Sequence, residues 1–361
     1  MPEKGRILVA MSGGLDSSVS ALLLQKKGYE IVGATFRTWD YITESCNAKN
    51  NGCCSIEAIH EASAFSAENG FEHHILDFRQ DFRKIVIDDF VNEYRAGRTP
   101  NPCVTCNAKI KWGLLLEKAK ELGCAQIATG HYACIGNNSD RYFLKKAVDK
   151  DKDQTYFLWQ LTSEQLSKTI FPLGSYRKKQ IREMASDLGF SKLSSKRESQ
   201  EICFIPQNDY AEFIEREYPT VMNSIGEGDL LDTHGNIIGR HKGFIHYTIG
   251  QRKGLGFAAG YPLYVKQTDA LKNTVTLAKR EELFSNELFA SGLNFTKYED
   301  FEHFENITTC IRYNDKGTKS SIIKKEGNVH VIFEEPVLAI TPGQSVAFYE
   351  GKNLIGGGII K

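Results

Sequence analysis

Residues 12–18 read Ser-Gly-Gly-Leu-Asp-Ser-Ser, directly after the apolar run Ile7-Leu8-Val9-Ala10 and at the start of a helical pattern over 17–27. A glycine loop at a strand-to-helix junction constrains the chain early, because the strand must be buried and the helix must cover it. The pattern then repeats. Apolar runs at 6–10, 31–36, 74–77 and 126–129 alternate with helical periodicity at 17–27, 55–69, 82–94 and 109–122. Gly28, Gly70 and Gly123 each follow a helical stretch, where a left-handed cap is expected. The alternation predicts an α/β fold with a parallel sheet, whose ligands bind at the carboxyl ends of the strands. That rule places residues 12–17, Phe36 and Gly130 along one edge.

Gly13 and Gly14 can take backbone angles closed to other residues, so that successive N–H groups converge on an anion while the following helix adds its positive end. The loop lacks the Gly-Lys-Ser/Thr ending of a Walker A motif and the third spaced glycine of a dinucleotide fingerprint. It resembles the SGG-x-DS loop of ATP pyrophosphatases, which split ATP between the α and β phosphates, deliver AMP to an oxygen and release pyrophosphate. A turn with an Asp or Ser helix cap would use the same small polar residues. Asp16 is open to two roles, helix cap or orienter of the pyrophosphate through Mg2+.

At 361 residues the chain is long enough for two or three domains. Residues 156–190 read as helical, with Leu158, Leu161, Leu166, Ile181 and Met184 on core faces, and close the first domain with the basic stretch 192–197. Residues 224–262 turn glycine-rich, with short runs at 243–245 and 246–249 before Gln251-Arg252-Lys253-Gly254-Leu255-Gly256, the pattern of a small β-rich module. Further β patterns at 274–278, 307–313, 328–333, 345–349 and 354–361, with a hairpin turn at Glu350-Gly351-Lys352-Asn353, predict a C-terminal β-barrel. The expected boundaries are 1–207, 208–280 and 281–361.

With 45 basic and 45 acidic residues, global charge neither announces nor excludes a nucleic-acid partner. Local basic clusters stand at Arg177-Lys178-Lys179, 192–197, Arg240-His241-Lys242 and Arg252-Lys253. No apolar stretch approaches the ~20 residues of a membrane span, and the first strand begins at Arg6, so a cytoplasmic chain without membrane attachment is expected. Nine cysteines, an odd number at low density, point to thiol chemistry or metal binding.

Thr99-Pro100-Asn101-Pro102-Cys103-Val104-Thr105-Cys106-Asn107 reads as a proline-stiffened loop that brings a Cys-x-x-Cys pair to the start of the 109–122 helix, a position that favours a thiolate. Cys203 follows in Ser199-Gln200-Glu201-Ile202-Cys203-Phe204-Ile205-Pro206, near Lys196 and Arg197. Four readings stand for Cys103, Cys106 and Cys203. They are buried small hydrophobes, zinc ligands completed by His131 or Cys54, a three-thiolate [4Fe-4S] cluster with one open iron, or covalent sulfur carriers. In the last, one thiolate carries a persulfide and another releases its outer sulfur by disulfide formation. An adenylated carbonyl oxygen is a good leaving group, so the ATP loop makes an O-to-S exchange coherent. Cys46, Cys53, Cys54, Cys124, Cys134 and Cys310 lack a comparable setting and are expected to be structural.

These motifs, taken together and in order, resemble the bacterial tRNA-specific 2-thiouridylases over nearly the whole chain. The similarity extends to Gly97-Arg98-Thr99-Pro100-Asn101-Pro102, Thr129-Gly130-His131-Tyr132, Lys152-Asp153-Gln154-Thr155-Tyr156-Phe157-Leu158, Gln200-Glu201-Ile202-Cys203-Phe204, Tyr247-Thr248-Ile249-Gly250-Gln251-Arg252-Lys253-Gly254, Ile311-Arg312-Tyr313 and Thr341-Pro342-Gly343-Gln344. The resemblance implies an enzyme that replaces the C2 oxygen of the wobble uridine of certain tRNAs with sulfur, using ATP and a persulfide from a sulfur-carrier or cysteine desulfurase relay protein. It makes Cys106 and Cys203 the two essential cysteines. Cys203 would carry the persulfide, and Cys106 would act as nucleophile or resolving thiol able to form a disulfide with it. It assigns ATP to Ala10, Met11, Ser12, Gly13, Gly14, Leu15, Asp16 and Ser17, with Phe36 against the adenine and Gly130 at a strand end. Asn101, Pro102 and Cys103 would meet the target base, and His131, Asp153, Gln154, Thr155, Arg312, Tyr313 and Gln344 the tRNA.

Two positions depart from the family pattern: Ala10 where several members have glycine, and Cys103 where some have an aspartate that can assist as a base. The second strengthens the cluster reading. An RNA substrate also follows from chemistry, since reaching C2 of a loop base requires extruding it while gripping the backbone. The glycine-rich basic segment 248–256 and the barrel are candidates for that grip. Two other classes stay open: an ATP-dependent ligase or amidotransferase that adenylates a small molecule, and a non-catalytic iron–sulfur or redox-responsive RNA-binding protein.

Overall fold

The structure, a computed structural model, describes residues 4–39, 56–190, 202–205 and 209–361. Cys46, Cys53, Cys54, the basic stretch 192–197 and Gln200-Glu201 lie outside the described residues. No helix among those described is long and apolar enough to cross a membrane.

Strand β1 (Arg6–Ala10), helix α1 (Leu15–Lys26), β2 (Glu30–Arg37), α2 (Ile56–Glu68) and β3 (Glu72–Asp77) form the opening α/β units. Two long helices follow. In α3, Arg79–Phe82 and Asp88–Arg95 are joined through wide π-type turns at Arg83–Ile87. In α4, Pro102–Thr105 and Leu115–Glu121 are joined in the same way through Cys106–Leu114. Next come β4 (Gln126–Ala128), the hairpin β5 (Cys134–Asn138) and β6 (Arg141–Lys145), α5 (Ser163–Ser167), β7 (Thr169–Ile170) and α6 (Lys178–Asp187). Five parallel strands lie in the order β3-β2-β1-β4-β7. Ile7, Leu8 and Val9 are fully buried, as a strand covered on both faces requires. The chain order reverses between β1 and β4, so the loops after these strands flank the crevice where such sheets bind ligands.

The parallel sheet is as the alternation predicts, and Gly28, Gly70 and Gly123 take left-handed φ of +88°, +71° and +70° after their helices. Three expectations need correction. Helix α4 begins at Pro102, not near residue 109: the proline occupies the first helical position, where its fixed φ suits the helix and its missing N–H costs nothing. The run 156–190 is not all helical and includes β7, too short to show a period. Strands β5 and β6 were not expected either; they are completed by β17, with Leu144 opposite Leu354, a partner far along the chain.

The next part opens with α7 (Tyr210–Glu217) and α8 (Pro219–Ile225). Strands β8 (Gly228–Leu231), β9 (Ile237–His241), β10 (Tyr264–Asp269) and β11 (Thr274–Ala278) then form a sheet ordered β10-β11-β8-β9. The run 243–249 is not a pair of strands. Phe244–His246 is a single short 3-10 turn whose apolar residues are buried by other elements. Strands β12 (Phe284–Phe295), β13 (His303–Cys310), β14 (Thr318–Lys325), β15 (Asn328–Leu338), β16 (Ser345–Glu350) and β17 (Asn353–Ile360) close through β12–β17 pairing into the expected barrel.

The parts share cores. One cluster joins Leu8, Trp112 and Ile127 of the first part to Cys310, Tyr349 and Leu354 of the barrel, with Trp159 buried among them. A Cβ on Gly357 would stand 2.7 Å from the Trp159 ring, so this strand must carry a glycine there. A second cluster joins Phe82, Phe90 and Ile110 to Phe213, Leu230 and Val275. The strip leading into α4 is held from both sides. Thr268 Oγ1 donates to the Gly97 carbonyl (2.9 Å), Thr99 N donates to the Pro342 carbonyl (2.8 Å), and Gln344 Nε2 donates to the carbonyls of Thr99 (2.8 Å) and Pro100 (3.1 Å).

Gly343 sits at this grip with φ +89°, and an added Cβ would lie 2.9 Å from Thr99 N. Gly343→Ala should therefore lower stability by about 1–3 kcal/mol. Gly327→Ala, at φ +69° with no atom within 4 Å of the new Cβ, should cost only the backbone share. Thermal unfolding of the two variants measures the difference, and equal losses would mean that the barrel does not grip this strip.

Candidate active site

The ladder of β1 continues one step past Ala10, with Met11 N donating to the Ala34 carbonyl at 2.7 Å. The chain then turns sharply at Gly13, φ +63°, where a Cβ would meet the Ala58 carbonyl oxygen at 2.4 Å. Only this glycine uses the left-handed region; Gly14 is extended at φ −106°, ψ 164°. Ser17 Oγ ties the loop, accepting from Ser12 N (3.2 Å) and donating to the Gly14 carbonyl (3.0 Å). The residue capping α1 is Gly14, so no side chain covers the first N–H groups of the helix, the condition under which an anion can do so. Gly130 closes in from the end of β4: its Cβ position lies 3.0 Å from Asp16 Cβ and Ser17 N. Phe36 reaches the same edge from β2, its ring 5.7 Å from that of Phe78.

Asp16 is not a helix cap. It lies in the first turn of α1, and its carboxylate accepts from Lys178 Nζ at 2.8 and 2.7 Å and from the Tyr132 hydroxyl at 2.9 Å. Lys178 was expected only as part of a local basic cluster, yet it is buried, with its own N–H donating to Asp149 Oδ2 at 2.8 Å. One signal in the sequence could have found it. Lys178 opens helix α6, an end where an ammonium opposes the helix dipole and needs a compensating anion.

Cys103 and Cys106 are not in a loop. Asn101 caps α4, Pro102 and Cys103 are its first two residues, and Cys106 follows one turn later where the π-type turns begin. Spacing of three puts both thiols on one face of the helix. Cys203 comes from a distant part of the chain. Its neighbour Phe204 is locked among the rings of Phe82, Phe90 and Phe213 at 5.7, 5.4 and 5.2 Å. Cys106 and Cys203, both half-buried, pack against the same apolar cluster. Among the described residues no three His, Cys, Asp or Glu side chains are grouped to hold a metal ion, so Cys103, Cys106 and Cys203 do not form a ready ligand set. Burial pushes the thiols of Cys124, Cys134 and Cys310 up, Cys310 to about 12, which suits structural residues.

The residues expected to meet tRNA divide into two groups. Arg312 and Tyr313 are exposed: the Arg312 guanidinium donates to the Leu338 carbonyl, and the Tyr313 ring lies 4.4 Å from that of Phe157. His131 lies between Trp112 and Phe171, with Nδ1 2.8 Å from Thr129 Oγ1. Its burial, with the nearby Lys111 charge, holds its pKa well below the usual value, so the ring is neutral and offers no charge to a phosphate.

The others hold the site together. Thr155 is fully buried, with its hydroxyl donating to Asp153 Oδ2 (2.6 Å) and lying 3.1 Å from the Tyr349 hydroxyl. Asp153 also accepts from Ala147 N, and burial raises its carboxyl pKa. Gln154 bonds Tyr132 twice, donating from its backbone N–H and accepting at Oε1, both at 2.9 Å. Asn101 bonds the Tyr156 side chain, Pro102 is buried, and the Gln344 amide is spent on Thr99 and Pro100. Arg252 and Lys253 are exposed on a turn whose Gly250 abuts Ala339 of the barrel part.

Three family models match consecutive stretches: the tRNA methyl transferase HUP domain over residues 5–207, the tRNA methyl transferase PRC-barrel domain over 212–279, and the aminomethyltransferase beta-barrel domain over 285–360. The tRNA-specific 2-thiouridylase MnmA of Amoebophilus asiaticus is 47% identical over 99% of this chain and 96% of its own length. That of Cytophaga hutchinsonii is 45% identical over 100% and 98%. Among solved structures, a 4-thiouridine synthetase–RNA complex with bound ATP is similar at a TM-score of 0.37 and 18% identity, over 60% of this chain and 51% of that one. Identity of this level, sustained from end to end across all three parts, means that the chain belongs to the tRNA-specific 2-thiouridylase family.

Proposed function

We propose that this protein is a cytoplasmic tRNA-uridine 2-sulfurtransferase, which adenylates the C2 oxygen of the wobble uridine with ATP and replaces it with sulfur. The observation that carries this reading is the grip on the strip at 97–100. The helix bearing Cys103 and Cys106 belongs to the same part as the phosphate loop, and its entry is held by both β-rich parts at once. An RNA loop that reaches the thiols therefore meets the adenylating part and both others. We assign adenylation to residues 1–207 and much of the tRNA grip to 208–280 and 281–361.

Residues 10–17 take the nucleotide, with loop N–H groups and the open end of α1 on phosphate oxygens and Phe36 beside the adenine. Asp16 is the carboxylate of the loop suited to Mg2+, which when bound would neutralise phosphate charge. The uridine O2 bonds to the α-phosphorus, the bond to the β-phosphate oxygen breaks, and pyrophosphate leaves with the electron pair. The outer sulfur of a Cys203 persulfide, supplied by a sulfur-carrier or desulfurase relay protein, then attacks C2, and AMP leaves with the former O2. Cys106 thiolate attacks the inner sulfur of Cys203. The S–S bond to the transferred sulfur breaks, leaving 2-thiouridine and a Cys106–Cys203 disulfide for a thiol reductant to reopen. A [4Fe-4S] cluster on Cys103, Cys106 and Cys203 would need the three thiolates to converge on one site, a grouping the described residues lack, which favours the persulfide route. Asn101, Pro102 and Cys103 border the target base, and Arg312 and Tyr313 face the rest of the RNA. Asp153, Gln154, Thr155 and Gln344 act on RNA indirectly, through Tyr132, Tyr349 and residues 99–100.

Cys106→Ser and Cys203→Ser should each abolish 2-thiouridine formation on unmodified tRNA while tRNA-stimulated pyrophosphate release continues. Full thiolation by either variant would sink the covalent scheme. In protein purified anaerobically, thiolation should survive iron chelation; activity lost with iron and restored on reconstitution would transfer the three cysteines to a cluster. Pyrophosphate release driven by a metabolite and not by tRNA would favour the small-molecule ligase.

Because His131 has its pKa lowered in the fold, the unfolded chain binds more protons below the ordinary histidine value. Its contribution to stability is present above about pH 6.5 and is lost as pH falls below it, by about 1.4 kcal/mol per pH unit until the depressed pKa is reached. His131→Gln should flatten the fall in unfolding free energy as pH drops below about 6.5, as read from denaturant melts. An unchanged profile would mean that the ring is protonated without cost.

A further inference from the structure

Two thiols suffice for the sulfur transfer, yet the helix that carries Cys106 also carries Cys103, three residues earlier. Asn101 caps this helix and Pro102 opens it, and the Cys106 N–H is shared between the carbonyls of Pro102 and Cys103. A bond to the residue three back tightens the turn toward 3-10 geometry, in which side chains at that spacing eclipse one another. Residues three apart on a helix have Cα atoms about 5 Å from each other, inside the roughly 4.4–6.8 Å that disulfides span. Cys103 and Cys106 can therefore close without unwinding α4. Wide π-type turns start at Cys106, a break in regular helix of the kind found at functional sites. All three thiols are half-buried, but their settings differ. Among the described residues, Cys106 and Cys203 pack against the apolar cluster of Phe82, Phe90 and Phe213, and Cys103 lies outside it. Cys203 is anchored on a turn closed by Ile205 N to the Ile202 carbonyl (3.0 Å), with Phe204 and Ile205 buried after it. A Cys106–Cys203 disulfide is thus made against packed side chains, and Cys203 must be released from it before it can be loaded again.

We propose that Cys103 is the resolving thiol that clears the Cys106–Cys203 disulfide after each turnover. Once the product has left, the Cys103 thiolate attacks the Cys106 sulfur. The bond from Cys106 to Cys203 breaks, its electron pair leaves on Cys203 as a thiolate, and the proton given up by Cys103 goes to solvent. No oxidant or reductant takes part in this exchange, which moves the disulfide onto the Cys-x-x-Cys pair at the start of α4 and frees Cys203 for the next persulfide. A dithiol protein reductant then reopens the Cys103–Cys106 bond. One of its thiolates attacks Cys103, the other displaces the mixed disulfide, and the reductant leaves oxidised. Because Cys103 stands one helical turn from Cys106, the first step is intramolecular and has the advantage of a high effective concentration. The inference rests on the covalent reading of Cys106 and Cys203.

The test maps disulfides in the full-length chain after one round of thiolation. Wild type and Cys103→Ser are loaded with persulfide, given ATP, magnesium and unmodified tRNA without reductant, quenched in acid, alkylated and read by peptide mass spectrometry. Wild type should carry a Cys103–Cys106 disulfide and a reactive Cys203, and Cys103→Ser should carry Cys106–Cys203. With persulfide donor in excess and thioredoxin as the dithiol reductant, the steady-state rate of Cys103→Ser, divided by its own first-turnover amplitude, should fall at least about tenfold below that of wild type. Dithiothreitol, small enough to reach the half-buried bond directly, should restore most of the loss. A wild-type chain that keeps Cys106–Cys203, or a Cys103→Ser ratio equal to that of wild type, would overturn the proposal. Where Cys103→Ser fails to fold or to react, the wild-type map decides together with Cys203→Ser treated with oxidised glutathione. That variant should close Cys103–Cys106, and failure to close it would overturn the proposal. Thiouridine formed by Cys103→Ser with no Cys106–Cys203 disulfide would overturn the covalent reading itself, and this inference with it.

Discussion

The Asp16 carboxylate is the point on which the phosphate loop, the crossover from β4 and helix α6 all converge. Lys178 and Tyr132 both donate to it, Gln154 grips Tyr132, and the next residue, Thr155, reaches Tyr349 of the barrel. Hydrogen bonds and one peptide link thus run from the 12–18 loop into the C-terminal part, ending in the buried Thr155 and Tyr349. Replacing one member would leave a buried polar partner unsatisfied, which costs more than the bond itself contributes.

The second organising contact is the grip on residues 97–100. The central sheet and the barrel each hold one side of this strip, and the helix that carries Cys103 and Cys106 starts immediately after it. Shared apolar cores behind the grip, one around Trp159 and one around Phe204 and Phe213, oppose rigid-body motion between the parts. The cost of orienting the entry to α4 against the two β-rich parts is thereby met in folding.

Several elements were legible from residues alone. The glycine turn between β1 and α1, the parallel sheet and the C-terminal barrel follow from periods and turn residues that depend only on near neighbours. Pro102 was misread because an Asn-Pro pair serves equally well as a loop and as a helix start, and only the N–H groups downstream decide which. The run 243–249 was misread because short apolar stretches show no period. Thr155 and Gln344 carried a family signature, and their side chains bond Tyr349 and residues 99–100, partners that no local pattern reveals.

By itself the sequence determined the α/β class of the first part, the order of the parts and the barrel at the end, since each depends on residue type and on spacing within a few positions. The tertiary structure alone decided that Lys178 pairs with Asp16, that Cys203 packs on the cluster of Cys106, and that the barrel holds the entry to α4. Those are contacts between segments far apart in the chain. Their partners are chosen by which surfaces packing brings together and which buried polar groups must then be satisfied, and that balance is struck only once the whole fold exists.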